Sequence, residues 1–418
     1  MLWERREALN LSLCALAQLA RVNRGTLSQV MSGERPCGRT DRAALMHAVG
    51  LGVDLQEQFL QSSLCRRPEP ELLLLDPPTC PHPPLERGQR FLIRELYSEA
   101  RGEFDAVFKS AAVDRNYVLQ ADAAARMAWL YYELDRIDES LRWVELSVDL
   151  IETCVGARLD DIIDSVQAGS HMPLCTASDP VSHVLSRVLL IRCKALVERI
   201  LYHGEWKRRI EANKHFSKSV ALDEYLREPA QLGHSLRWQA VLLCSGPEPR
   251  RTDADKLLAG SHEKFTRGSI GEAYLARDRG VVCWLTDRRA SARGFLLEAV
   301  DGLSSFADSR ALGPTYYALS RLILRGSGDR REARRYAMVG AVMHPYGFVL
   351  NHCKEEFRGV THQGLQRDID DLHMGKKPFD TLHPVMTRLA DGSARDAADV
   401  IARNLTRIFG RCPQLPRG

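Results

Sequence analysis

Apolar residues fall near a helical period from the first positions of the chain. Leu2, Arg5, Leu9 and Leu11 share one face and leave Glu4, Arg6 and Glu7 to solvent. Ser12 stands where an N-cap belongs, ahead of a compact face of Leu13, Leu16, Ala17 and Ala20, which predicts a second helix. Arg21, Val22 and Asn23 supply a turn. From Arg24 a third helix has Leu27 and Val30 facing inward and Arg24, Gly25, Ser28 and Gln29 facing out. Gly33 ends it, Pro36 and Gly38 mark a loop, and a fourth helix is expected over 39–49.

Between Leu64 and Pro84 the chain reads LCRRPEPELLLLDPPTCPHPP, which no helix can cross, so a linker is expected over 64–84. Paired helices follow. In RGQRFLIRELYSEARGEFDAVFKSAAVD a helix ending near Glu99 meets a turn at Arg101 and Gly102, then a second helix holding Ala106. Tyr97 and Ala106 are answered by Tyr131 and Ser140, each 34 residues on, the tetratricopeptide period. Later pairs place a turn at Asp287 with Ala292 and Ala299 behind it, then Gly328, Ala333 and a closing Pro345. Two looser pairs are expected over 181–222 and 230–260, an exposed loop over 168–180, and helical patterns at 365–372 and 394–409 that cap the array. The expected fold is all-α: a five-helix head over 1–63, the linker, a helical-repeat domain over 85–350 and a helical cap over 351–418.

Composition narrows the function classes. A net charge of +4 on 418 residues confines any nucleic-acid contact to a patch rather than the whole surface. No run of 18 apolar residues occurs and the start is charged, so a cytoplasmic protein without a membrane span is expected. Eleven cysteines without a CxxC pair argue against a zinc site; Cys65, Cys80 and His82 come nearest and lack a fourth ligand. His344, His352, Cys353 and His362 cluster in sequence without a nucleophile-base-orienter set, so neither catalysis nor a cofactor is expected.

The outward residues of the third helix suit a major groove, where Arg pairs with guanine, Gln with adenine, and Ser with either class of base. Arg24, Gly25, Thr26, Ser28 and Gln29 are therefore the candidate DNA-reading residues, and Arg35, Arg39 and Thr40 lie where phosphates are reached. The stretch REALNLSLCALAQLARVNRGTLSQVMSGERP resembles the lambda-repressor and Cro type (XRE) helix-turn-helix, departing from it at Leu13, Cys14, Ala15 and Met31. The later pairs resemble tetratricopeptide repeats, which build a right-handed α-solenoid. Aligned by their small residues, they put Asp122, Trp129 and Tyr132, then Lys194, Glu198 and Tyr202, then Tyr274, Arg277 and Trp284 on an inner wall suited to a peptide, with Lys194 or Arg277 for its terminal carboxylate.

Together the halves resemble the peptide-pheromone receptors of the Rgg, PlcR and arbitrium type. That resemblance implies a homodimeric transcriptional regulator that binds a two-fold DNA operator and responds to a short peptide. The alternative is a scaffold whose array grips a partner protein.

Overall fold

The computed structural model describes residues 13–19, 25, 27, 82–93, 96–168, 180–305, 308–326, 328–374, 401, 404–406 and 408–410. Every regular element among them is a helix, and none is long and apolar enough to cross a membrane. The chain is all-α. In the head, Leu13–Leu19 forms α1, with Leu16 and Ala17 buried; Leu27 is buried and helical. These are three of the positions whose spacing assigned them to inner faces.

From residue 83 on, helices come in consecutive pairs joined by short turns, so the two members of a pair run antiparallel. The pairs are α2 (Pro83–Ile93) with α3 (Tyr97–Val113), α4 (Tyr117–Glu133) with α5 (Ile137–Val155), and, after a short α6 (Leu159–Gln167), α7 (Pro180–His203) with α8 (Arg209–Leu226). Then come α9 (Pro229–Cys244) with α10 (Arg251–His262), α11 (Ile270–Leu285) with α12 (Arg289–Ser305), α13 (Ser309–Gly326) with α14 (Arg330–Met343), and α15 (Gly347–Glu356) with α16 (His362–Met374). Each first helix also packs on the next pair, so neighbours bury one another's apolar faces. Several turns turn on a left-handed residue: Asp135 after α4 and Asp287 after α11, with φ of 56° and 58°, and Gly328 after α13 at 70°.

The fourth residue of the second helix explains why six of the seven pairs close tightly; in α16 that position is Leu365. Ala100, Ser140, Ala212, Ala254, Ala292 and Ala333 occupy that position and all are fully buried. A small side chain there lets two backbones approach. Hydrogen bonds follow from the short separation: Ser140 Oγ donates to the Ala128 carbonyl and Ser147 Oγ to the Ala121 carbonyl, both at 2.8 Å.

This register corrects part of the sequence reading. Arg101 and Gly102 lie inside α3, and the chain reverses between α2 and α3 instead. Ala100 takes the place assigned to Ala106, and the repeat is about 40 residues rather than 34. The looser pairs at 181–222 and 230–260 are genuine pairs with bounds shifted by a few residues; most of the loop over 168–180 lies outside the described residues. The expected boundary at 351 falls within α15, which packs on α14. Ile401, Leu405 and Ile408 bury into the same core as α11 to α16, in the manner of a cap.

The row of pairs does not stay open. Tyr346, between α14 and α15, meets Tyr97 at the start of α3 edge to face, with ring centroids 5.5 Å apart. Phe348 of α15 stacks on Tyr202 of α7 at 3.8 Å, and Arg310 of α13 reaches Glu133 at the end of α4 at 3.5 Å. The far end of the array therefore folds back on its beginning, and the first helices of the pairs face one another across a common core.

Candidate ligand cavity

That core holds a cavity of about 120 Å³ lined by side chains from every first helix between α2 and α13 and by His344, Tyr346 and Phe348. Side chains three and four residues apart lie on one helix face. This spacing puts Trp129, Tyr132 and Glu133 of α4 into the lining, then Lys194, Glu198 and Tyr202 of α7, His234, Arg237 and Trp238 of α9, and Tyr274, Arg277 and Asp278 of α11. Eight of these twelve are buried and Trp129, Tyr132, Tyr202 and Arg277 are half-buried, so charges here act through a low dielectric and must be matched or neutralised.

Most are matched. The Asp278 carboxylate accepts from Arg277 Nε at 2.8 Å and from Arg237, while Arg310 sits between Glu133 at 3.5 Å and Asp308 at 3.6 Å. Tyr274 donates its hydroxyl proton to Asp308 at 2.5 Å. Lys194 differs. Its ammonium lies 4.2 Å from the ring centre of Trp129, 5.2 Å from Tyr132 and 5.8 Å from Trp238, a cation held by π-faces. Burial pulls its pKa down to about 8.

Four residues along α7, Glu198 accepts the Tyr132 hydroxyl proton at 2.6 Å, and burial pushes its pKa up to about 8. Glu198 is therefore mostly protonated at neutral pH and Lys194 mostly charged. His234 Nδ1 accepts from Arg237 Nε at 2.9 Å, and burial drives its pKa well below the ordinary value. A neutral ring that accepts at Nδ1 carries its proton on Nε2, so Nε2 is a donor. Neither it nor Trp238 Nε1 has a partner among the described residues.

Glu198 gives a pH signature. The unfolded carboxyl ionises near 4.5 and the folded one near 8, so its stabilising effect is complete below about 4.5 and is lost as pH rises to 8. Glu198→Gln keeps the acceptor for Tyr132 but removes the titration. Urea unfolding from pH 5 to 9 is expected to show a flatter stability profile for the variant, which becomes the more stable protein above pH 8 by a few kcal/mol, at about 1.4 kcal/mol per pKa unit. Parallel profiles would mean that Glu198 is already ionised in the folded protein.

Of the nine residues assigned to an inner wall, Trp129, Tyr132, Lys194, Glu198, Tyr202, Tyr274 and Arg277 line this cavity. Two do not. Asp122 is fully buried beside Arg126 and Arg187, bonded at 3.2 and 2.6 Å, and serves the packing of α4 against α7. Trp284 lies outside the lining, with the Arg325 guanidinium 5.3 Å over its ring. His234, Arg237 and Trp238 were not expected in the wall, because the pair that holds them, over 230–260, fits the repeat pattern only loosely. The spacing along α9 carries the same signal as its neighbours'.

In the head, Gly25 is helical and exposed. Arg24, Thr26, Ser28, Gln29, Arg35, Arg39 and Thr40 lie outside the described residues. No protein-family model matches this chain, and no curated protein is significantly similar to it.

Proposed function

We propose that this chain is a sequence-specific DNA-binding transcriptional regulator, acting in the cytoplasm as a homodimer. An XRE-type helix-turn-helix reads the operator, and a tetratricopeptide-like solenoid senses a ligand in its core. The observation that carries the sensor half is the cavity itself, lined by charged and aromatic side chains from six successive pairs of one array. The helix-turn-helix resemblance of residues 6–36 supports the other half.

The size of the cavity constrains how a ligand acts. A protein cavity of about 150 Å³ holds benzene, so about 120 Å³ admits one small group and not a chain of several residues. A short peptide, the ligand that the overall architecture suggests, enters whole only when the contact of Tyr346 and Phe348 with Tyr97 and Tyr202 parts. A ligand that binds better with this seam open than closed would shift the balance between the two arrangements and with it the spacing of two DNA-reading heads. A scaffold gripping a folded partner along the inner wall is less well supported, since that wall is turned in on the core.

Sequencing of fragments selected by the full-length protein from random DNA, at near-physiological salt, tests the reading. An enriched inverted repeat is expected. Arg24→Ala and Gln29→Ala are each expected to weaken binding to it by about 5- to 150-fold, the worth of about 1–3 kcal/mol for a bidentate base contact, and to relax preference at one base pair. Equal affinity for all duplexes, with or without these changes, would overturn it.

A further inference from the structure

Resting on the sensor reading, we propose that the core recognises a carboxylate on a small apolar stem, with Lys194 as its anchoring cation. The carboxylate belongs either to a free small acid or to the last residue of a peptide.

Charge matching singles out Lys194. Asp122 serves two buried arginines, Arg126 and Arg187; Asp278 serves Arg237 and Arg277; Glu133 and Asp308 flank Arg310. Among the described residues Lys194 has no carboxylate within 4 Å, although it is only 9% exposed and lines the cavity. A buried ammonium without a counter-ion is costly unless something else supplies the negative charge. Neighbouring groups point to the same chemistry. His234 Nε2–H and Trp238 Nε1–H, on side chains 5% and 8% exposed, are donors without partners among the described residues, and both residues line the cavity.

An ionised carboxylate is acceptor-only, with room for several donors at once. A single ammonium without a close carboxylate suits a monoanion better than a dianion, since Asp135 and Glu198 of the same lining oppose a second negative charge. Leu190, Leu201, Val241, Val281 and the Trp129 ring add apolar surface to the lining that suits a short hydrocarbon stem. With about 120 Å³ available against the benzene-sized reference, the group entering the core has about six heavy atoms.

Calorimetric titration of the full-length protein with isobutyrate, its neutral isostere isobutyramide, inorganic phosphate, and the tripeptide Gly-Ala-Val with a free or amidated C-terminus tests this. Expected is saturable binding of isobutyrate, of the free tripeptide, or of both, with no binding of isobutyramide or the amidated peptide. Isobutyrate alone identifies a free acid as the ligand, and the free tripeptide alone identifies a peptide terminus. Lys194→Met is expected to weaken the binding by about 10- to 100-fold, as loss of a charged hydrogen-bonding partner does. Binding in the native protein is also expected to decline above pH 8, as the ammonium loses its proton.

Equal binding of acid and amide, unchanged affinity in a folded Lys194→Met, preference for phosphate, or no binding of any carboxylate would overturn the proposal. The amide comparison needs no variant. DNA selection run without added acid separates the two readings: carboxylate binding with no operator leaves this inference standing and removes the regulator, and an operator without carboxylate binding does the reverse.

Discussion

Asp122→Ala is expected to lower the stability of the folded chain by about 3–5 kcal/mol, among the largest losses a single substitution in this array can produce. Asp122 is fully buried on α4 and accepts from Arg126 Nε on the same helix and from Arg187 Nη1 on α7, while Arg126 Nη1 donates to Gln89 of α2 at 2.8 Å. One carboxylate thus ties two buried guanidiniums and, through them, three helices. Its removal leaves two positive charges side by side in a low dielectric, where neither can shed its proton. The loss comes from stranded charge rather than from an especially favourable triad. Replacing the whole set, Asp122→Leu with Arg126→Met and Arg187→Met, is therefore expected to cost far less than the single change. Midpoints of urea unfolding, followed by circular dichroism, compare the two. A loss below about 1 kcal/mol for Asp122→Ala would show that water reaches these arginines in the folded protein.

The triad also shows where sequence reading stops. A charged residue on a helix looks the same whether it faces solvent, a ligand or an arginine far along the chain. Asp122 was placed on the inner wall for that reason, although Arg187 lies 65 residues away. Local pattern did better where local physics decides. The small residues Ala292 and Ala333 and the turns at Asp287 and Gly328 were legible because close helix crossings and left-handed turns restrict residue type.

The first pair misled. Arg101 and Gly102 read as a turn, yet no neighbour lies within 4 Å of where a Gly102 side chain would be. There a glycine costs a helix only about 1 kcal/mol, which packing of Ala100 and Phe104 readily outweighs. Seven wall residues were legible because aligning the pairs by their small residues picks out one face of each first helix. Closure of the wall was not legible. It depends on the small rotation between successive pairs, summed until Tyr346 meets Tyr97 and Arg310 meets Glu133, and no local pattern records that sum.

Closure can be attacked at one helix crossing. Helices α13 and α14 touch at Gly313 and Gly340. A side chain at Gly313 would collide with His344 Cβ and come within 3.2 Å of the Gly340 carbonyl oxygen; one at Gly340 would lie 3.0 Å from the Gly313 carbonyl oxygen and 3.2 Å from Tyr316 Cβ. These neighbours are backbone or the rigid bases of side chains, so the helices themselves must separate. Gly313→Val is expected to lower stability by about 1–3 kcal/mol through overpacking. It is further expected to displace His344 and Tyr346, which carry the contact with Tyr97, and so to raise amide hydrogen exchange over 129–135 and 344–350 above that elsewhere in the array. Gly294→Ala provides the opposite sign. Gly294 lies within α12 with nothing within 4 Å of its would-be side chain, so alanine there is expected to stabilise by about 0.5–1 kcal/mol without opening the seam. Loss at Gly313 with gain at Gly294 traces the effect to the crossing; loss at both would trace it to a general intolerance of side chains on these helices, and the seam would have to be held by other contacts.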